Sequence, residues 1–184
     1  MRLIIGLGNP DKEYEYTRHN FGHLSVDSLV EKKGLSWKKN KKALSLITDW
    51  QHGREKIILA KTQVYMNESG KAVRALKSFY KLPTNKIIII YDDIALPLSK
   101  IKLSKSRGDG GHKGLESIIK HLKSKDFKRV RLGIGPQKGS SEDFVLKRFS
   151  ASEKKKLPEV IDTSHLVIEA ILNKDFDQAA NKYN

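Results

Sequence analysis

The chain has 184 residues and a net charge of +15, with 38% apolar residues, enough for one core and an expected single domain over 1–184. It has no cysteine, which excludes a disulfide framework and a thiolate nucleophile and fits a reducing cytoplasm. "MRLIIGLGNP" is too short an apolar run for a signal peptide, and no stretch approaches the roughly 20 apolar residues of a membrane span.

In chain order, "LIIGLG" (3–8) is a short apolar run closed by glycine and predicts a buried strand. A helix is expected to begin near Asn20. "KKNKK" (38–42) reads as an exposed charged loop, and "ALSLITDW" and "REKIILAK" on either side of Gly53 read as a hairpin. In "NESGKAVRALKSFYKL", Ala72, Val73, Leu76, Phe79 and Tyr80 keep helical spacing, with Asn67 or Ser69 as the cap. "KIIIIYDD" (86–93) is apolar on both faces, as in the middle of a helix-covered parallel sheet. "HKGLESIIKHL" predicts a helix opening at His112, and "RVRLGIG" (129–135) another strand. Ser150 and Glu153 have capping-box spacing, Pro158 divides a short helix from one running to about Leu172, and a last helix ends the chain. The expected fold class is α/β, with a mixed, mostly parallel sheet flanked by helices.

The charge is uneven. Residues 100–131 carry eleven Lys/Arg against three Asp/Glu, about half the total excess on a sixth of the chain. Phe127 is the only aromatic there, so the segment suits phosphate contact rather than base stacking.

Ligands of open α/β sheets collect beyond the carboxyl ends of strands. Asn9, Asp92 and His19 all fall near such ends. A neutral His19 imidazole with a carboxylate on its second nitrogen has the parts of a general base. The alternative is one more basic side chain on a basic surface. No G-x-S-x-G elbow offers a serine nucleophile, which leaves water. "GLGNPD" has Asp11 where a dinucleotide-binding glycine would stand, and "GDGGHKG" (108–114) lacks the phosphate-loop spacing. The second motif is either a tight turn or a loop that aims helix-start N–H groups at a ligand. His19 and His23 are four apart, but the cap expected at Asn20 separates them, so no metal site is expected.

In order along the chain stand "IIGLGNP", "YEYTRHNFGH", "YMNESGKAV", "YDDIALP", "GDGGHKGLESI", "RLGIG" and "DFVLKRFS". With these motifs the sequence resembles the bacterial-type peptidyl-tRNA hydrolases over nearly its whole length. The resemblance implies hydrolysis of the ester between a peptide and the tRNA 3′ ribose, without metal or organic cofactor, by an enzyme that is usually a monomer. It implies His19 as base and Asp92 as its support. Asn9 would distinguish a blocked peptidyl group from a free aminoacyl group, and Tyr14, Tyr65 and Asn67 would contact the substrate. Asn67 would also suit an oxyanion donor. Lys102, Lys105, Arg107 and Arg131 are the expected tRNA phosphate contacts. The pattern is broken at Lys113, where the family usually has a substrate-contacting asparagine, and at Ala95, Ser99 and Asp109. The competing readings are an RNA-binding relative that has lost hydrolysis and a metal-dependent phosphoesterase.

Overall fold

The computed structural model describes residues 1–137 and 139–184. Its strands are β1 (Arg2–Gly6), β2 (Lys38–Asn40), β3 (Ser45–His52), β4 (Glu55–Thr62), β5 (Ile87–Pro97), β6 (Ile101–Lys105) and β7 (Lys128–Gly135). The helices are α1 (Phe21–Lys32), α2 (Ser69–Phe79), α3 (Lys113–Leu122), α4 (Ser141–Leu146), α5 (Ala151–Lys154), α6 (Leu157–Asn173) and α7 (Phe176–Tyr183). The strands form one sheet in the order β2-β3-β4-β1-β5-β7-β6. Its centre, β4-β1-β5-β7, is parallel, while β2, β3 and β6 pair antiparallel at the two sides.

The isoleucine run explains how the sheet is covered. Ile88 and Ile90 face a core built with α1, α6 and α7, and Ile87, Ile89 and Tyr91 face a second core built with α2 and α3. A strand buried on both faces loses the usual polar alternation, hence the continuous apolar run. Chain order reverses on either side of β1, so the β1/β5 crevice is the topological switch point where such folds bind ligands.

Several expectations change. "KKNKK" is partly the edge strand β2 rather than a loop; lysines on an edge discourage pairing with other chains. β6 and α4 escaped notice because β6 is short and lysine-rich and α4 lacks a long apolar stripe. Neither Asn67 nor Ser69 caps α2: its N-cap is Glu68, without a side-chain bond, and the Ser69 hydroxyl donates to the Met66 carbonyl. Phe79, expected on the apolar stripe, is exposed. The strand through Asp92 does not stop there. Its register shifts between Asp93 and Pro97 before pairing resumes, which bends the strand beside the cleft.

Two glycines set how α1 meets the sheet. A Cβ on Gly22 would lie 2.3 Å from the Ile90 carbonyl oxygen, and one on Gly6 would lie 2.4 Å from the Gly22 carbonyl oxygen. The helix therefore packs backbone to backbone on β1 and β5. Gly22→Ala is expected to lower stability by roughly 1–3 kcal/mol, read as a lower urea midpoint at unchanged slope.

Candidate active site

A cleft of about 1370 Å³ opens at the carboxyl ends of β1 and β5. Asn9, Tyr14, His19, Tyr65, Asn67, Asp92, Arg107, Lys113 and Arg131 all line it.

The sequence Arg18-His19-Asn20 forms a buried 3₁₀ turn in which each side chain has its own anchor. The Arg18 guanidinium donates to Glu153 at 2.6 Å and to the carbonyls of Lys147 and Arg148, and lies over the Phe144 ring. Glu153 is also the acidic member of the α5 capping box. Asn20 accepts from the Asn9 N–H at 2.8 Å and donates to the Asn9 carbonyl at 2.9 Å, so it clips the β1 loop to the turn. Between them His19 is directed at Asp92, its Nδ1–H donating to Oδ2 at 2.9 Å and to Oδ1 at 3.1 Å.

His112 is the residue that sequence reasoning missed as a member of the site. Its Nδ1 accepts from the N–H groups of Gly114 and Leu115, 3.1 and 3.3 Å away, and so caps α3. A nitrogen that accepts cannot carry the proton. Nε2 therefore holds it and donates to Asp92 Oδ1 at 3.1 Å. The signals available in the sequence were a helix-opening histidine and its glycine neighbours; the contact to Asp92 depends on tertiary packing alone.

Asp92 is 1% exposed and lies between two imidazoles whose centroids are 4.9 Å apart. Burial acts to raise its pKa, but the charges and N–H groups of His19 and His112 outweigh this and hold it well below the usual carboxylate range. For His19, burial acts to lower the pKa, and the Asp92 charge and hydrogen bond reverse that into a net rise above the ordinary histidine value. With Nδ1 committed to Asp92, the lone pair of His19 Nε2 is the group left for the cleft.

His19, Asp92 and His112 also bring potential metal-ligating atoms within 4.8 Å of one another. The donor set does not suit a metal. The helix cap fixes the proton of His112 on the nitrogen that would have to ligate. His23 cannot assist: it is buried beneath Gly8, bonds to Thr62 and has its pKa pushed well below the ordinary value by burial and by Lys61.

Asn9 is oriented unambiguously. Its Oδ1 accepts the Met66 N–H at 2.8 Å, so its NH₂ faces the cleft as a donor. Asn67 is exposed and keeps its amide free of the helix start. Tyr14 and Tyr65 meet edge to face at 6.5 Å, and the Tyr65 hydroxyl donates to Asp11 at 2.5 Å. Lys113 is the first residue of α3 and has no ion-pair partner among the described residues. A cation there opposes the helix dipole.

The basic candidates separate. On β6, Lys102 stands opposite Arg131 and Ser104 opposite Arg129, on the cleft side of the sheet. Arg131 spends its Nε–H on Asp93 at 2.7 Å and still lines the cleft. Arg107 is exposed on the cleft's glycine loop. Lys105 stands apart from these: strand alternation puts it with Ile101 and Leu103 on the other face, where it pairs with Asp177 of α7 at 2.7 Å. Arg129 was also missed. It is 1% exposed, lies 4.6 Å from the Phe127 ring, and donates to the carbonyls of Arg107 and Gly108, which ties down the start of the loop that ends at His112.

Known proteins resemble this chain in sequence and in fold. A family profile described as peptidyl-tRNA hydrolase matches residues 3–184. A peptidyl-tRNA hydrolase of Listeria monocytogenes is 40% identical over 185 residues, covering 100% of this chain and 99% of that protein. One from Lactiplantibacillus plantarum is 41% identical over 186 residues, covering 100% of both. The crystal structure of peptidyl-tRNA hydrolase from Acinetobacter baumannii superposes with a TM-score of 0.92 at 32% identity, covering 100% of this chain and 94% of that chain. With a match that runs almost from end to end and the same fold around the cleft, the chain belongs to the peptidyl-tRNA hydrolase family.

Proposed function

We propose that this chain hydrolyses the ester joining a peptide to the 3′ ribose of tRNA, with His19 as general base. The observation that carries the mechanism is the Asp92 carboxylate receiving an N–H from each of two imidazoles, which leaves His19 Nε2 as the acceptor in the cleft. Nε2 takes a proton from water as the oxygen attacks the ester carbonyl. The imidazolium so formed is stabilised by Asp92 and returns the proton to the departing ribose oxygen. The products are the free peptide carboxylate and the tRNA hydroxyl.

The free amide of Asn67 is in reach of the cleft to donate to the developing oxyanion. The fixed NH₂ of Asn9 offers a donor to a carbonyl of the peptide, a feature that a free aminoacyl group lacks. Tyr14 and Tyr65 form an aromatic wall for the terminal nucleotide or the first peptide residues. Lys102, Arg107, Arg131 and Lys113 supply phosphate contacts, and Lys105 is left out because Asp177 neutralises it on the other face. No helix among the described residues is long and apolar enough to cross a membrane. We propose a monomer working in the cytoplasm, where its substrate is made. A relative that binds RNA without cleaving it is not favoured, since base, carboxylate and tautomer-fixing cap are all present.

His19→Ala is expected to cut release of labelled N-acetylated amino acid from tRNA by about 10²–10⁴-fold while leaving tRNA affinity in a filter-binding assay nearly unchanged. Retention of full activity removes His19 from the base role.

The pH dependence follows from the sign of the His19 shift. The base works only when neutral and its pKa is raised, so the acid limb of kcat/KM is expected above the ordinary histidine value of about 6.5. Asp92→Asn removes the group that raises it. The limb should then move to lower pH while kcat falls more than KM changes. A limb that stays in place contradicts the assignment.

Because the His112 tautomer is wrong for chelation, hydrolysis is expected to be equal with and without excess EDTA. Loss of activity that added divalent metal restores would instead favour the metal-dependent reading.

A further inference from the structure

A second concavity lies outside the cleft, between α2 and α3. It measures about 330 Å³ and is lined by Arg74, Lys77, Ser78, His121, Leu122 and Lys123. No acid lines it. Some surface cations are neutralised: Lys71, one turn before Arg74, pairs with Glu68, and Lys32, Lys33 and Lys105 have acidic partners too. Arg74, Lys77 and Lys123 have none among the described residues. Lys77 and Lys123 stand at helix C-terminal ends, where the dipole favours a cation without any ligand. Arg74 lies mid-helix, where the dipole gives it nothing.

The notch continues the cleft. His121 lines both, its Nδ1–H donating to the Ser117 carbonyl at 2.8 Å, and Lys120 stands on the cleft side. α3 has ten residues, so about 15 Å of helix connects Lys113 at the cleft to the notch. The two helix layers also differ in sign. α2 carries Lys71, Arg74 and Lys77 and no acid, and α3 carries Lys113 and Lys120 against Glu116. On the opposite face, α6 carries Glu159, Asp162 and Glu169 with no Lys or Arg, and α1 carries Asp27 and Glu31 against Lys32. Two of these α6 acids are paired with Lys32 and Lys33, so a polyanion leaving the cleft meets attraction along α2 and α3 and no comparable positive charge along α6.

We infer that the notch is a second phosphate-binding site, which holds the phosphodiester backbone of the tRNA acceptor arm as it runs from the cleft along α3. The inference rests on reading the cleft as the place of the tRNA 3′ end. No Phe, Tyr or Trp lines the notch, and its cations suit backbone phosphate contact rather than base stacking. Arg74 brings the planar donor fork suited to a phosphate.

The test compares two substrates with the triple variant Arg74→Gln, Lys77→Gln, Lys123→Gln. On full-length N-acetylaminoacyl-tRNA, KM should rise on the order of tenfold or more, kcat should hold, and the slope of log KM against log salt should flatten by about two to three. On the N-acetylaminoacyl ester of a short 3′-terminal oligonucleotide, which cannot reach the notch, both constants should match wild type; this arm also reports intact folding. An unchanged KM and salt slope on full-length tRNA overturns the proposal, and so does an equal loss on both substrates. Salt titration of deacylated tRNA binding needs no hydrolysis. If wild type cleaves neither ester while the triple variant still loses tRNA affinity, the cleft reading fails and the notch stands.

Discussion

The structure around the cleft depends on one buried carboxylate. Removing an ion from water costs several kcal/mol even after relaxation, and Asp92 is almost fully buried. It remains ionised because two N–H groups converge on it, from His19 and from His112. Each charge-assisted hydrogen bond contributes about 1.5–3 kcal/mol. The donors are not interchangeable. His112 is held by backbone N–H groups at the start of α3, which dictate its tautomer and thus guarantee a proton toward Asp92. His19 has no such clamp on its outer nitrogen. The same anion thus has one fixed donor and one whose far side is free for proton transfer.

The fold supplies this convergence from three directions. His19 precedes α1 on one face of the sheet, His112 opens α3 on the other, and Asp92 projects from the strand between them. Small changes in either helix would alter the distances, and the close contacts at Gly22 and Gly6 restrict α1. Arg18 ties the turn to Glu153 and the carbonyls before α5, and Asn20 ties it to the β1 loop. The C-terminal part of the chain, far from the cleft in sequence, therefore contributes to the aim of the imidazole.

Much of this was legible in the sequence where the physics is local. The four-isoleucine run is the doubly buried strand its composition predicts, and Ser150 with Glu153 forms the capping box its spacing promises. His19, Asp92 and Asn9 could be placed at strand ends, and they do share one cleft. What was hidden depended on tertiary register. His112 looks like a helix opener and is one; its second bond, to Asp92, has no local signature. Lys102 and Lys105 look alike in a basic run, yet strand parity sends them to opposite faces. Arg129, in the same run, became a buried strut for the glycine loop. Asn67 had the composition of a cap, but Glu68 took that position and left its amide free.

The general base proposed here faces an electrostatic problem in so basic a protein. The net charge of +15 is the wrong scale for it; distance is the right one. Cations that attract a polyanion also oppose protonation of a nearby imidazole and so make it a weaker base. Their influence through solvent fades over a Debye length of about 8–10 Å at physiological salt. Asp92 touches His19 directly in a site from which water is largely excluded, where the interaction is screened far less. The near anion therefore sets the proton affinity of His19, as its upward shift indicates, while in the proposed function the distant cations attract the tRNA backbone. Binding then responds strongly to ionic strength and the proton-transfer step weakly, which lets one chain carry a large positive charge without silencing its own catalyst.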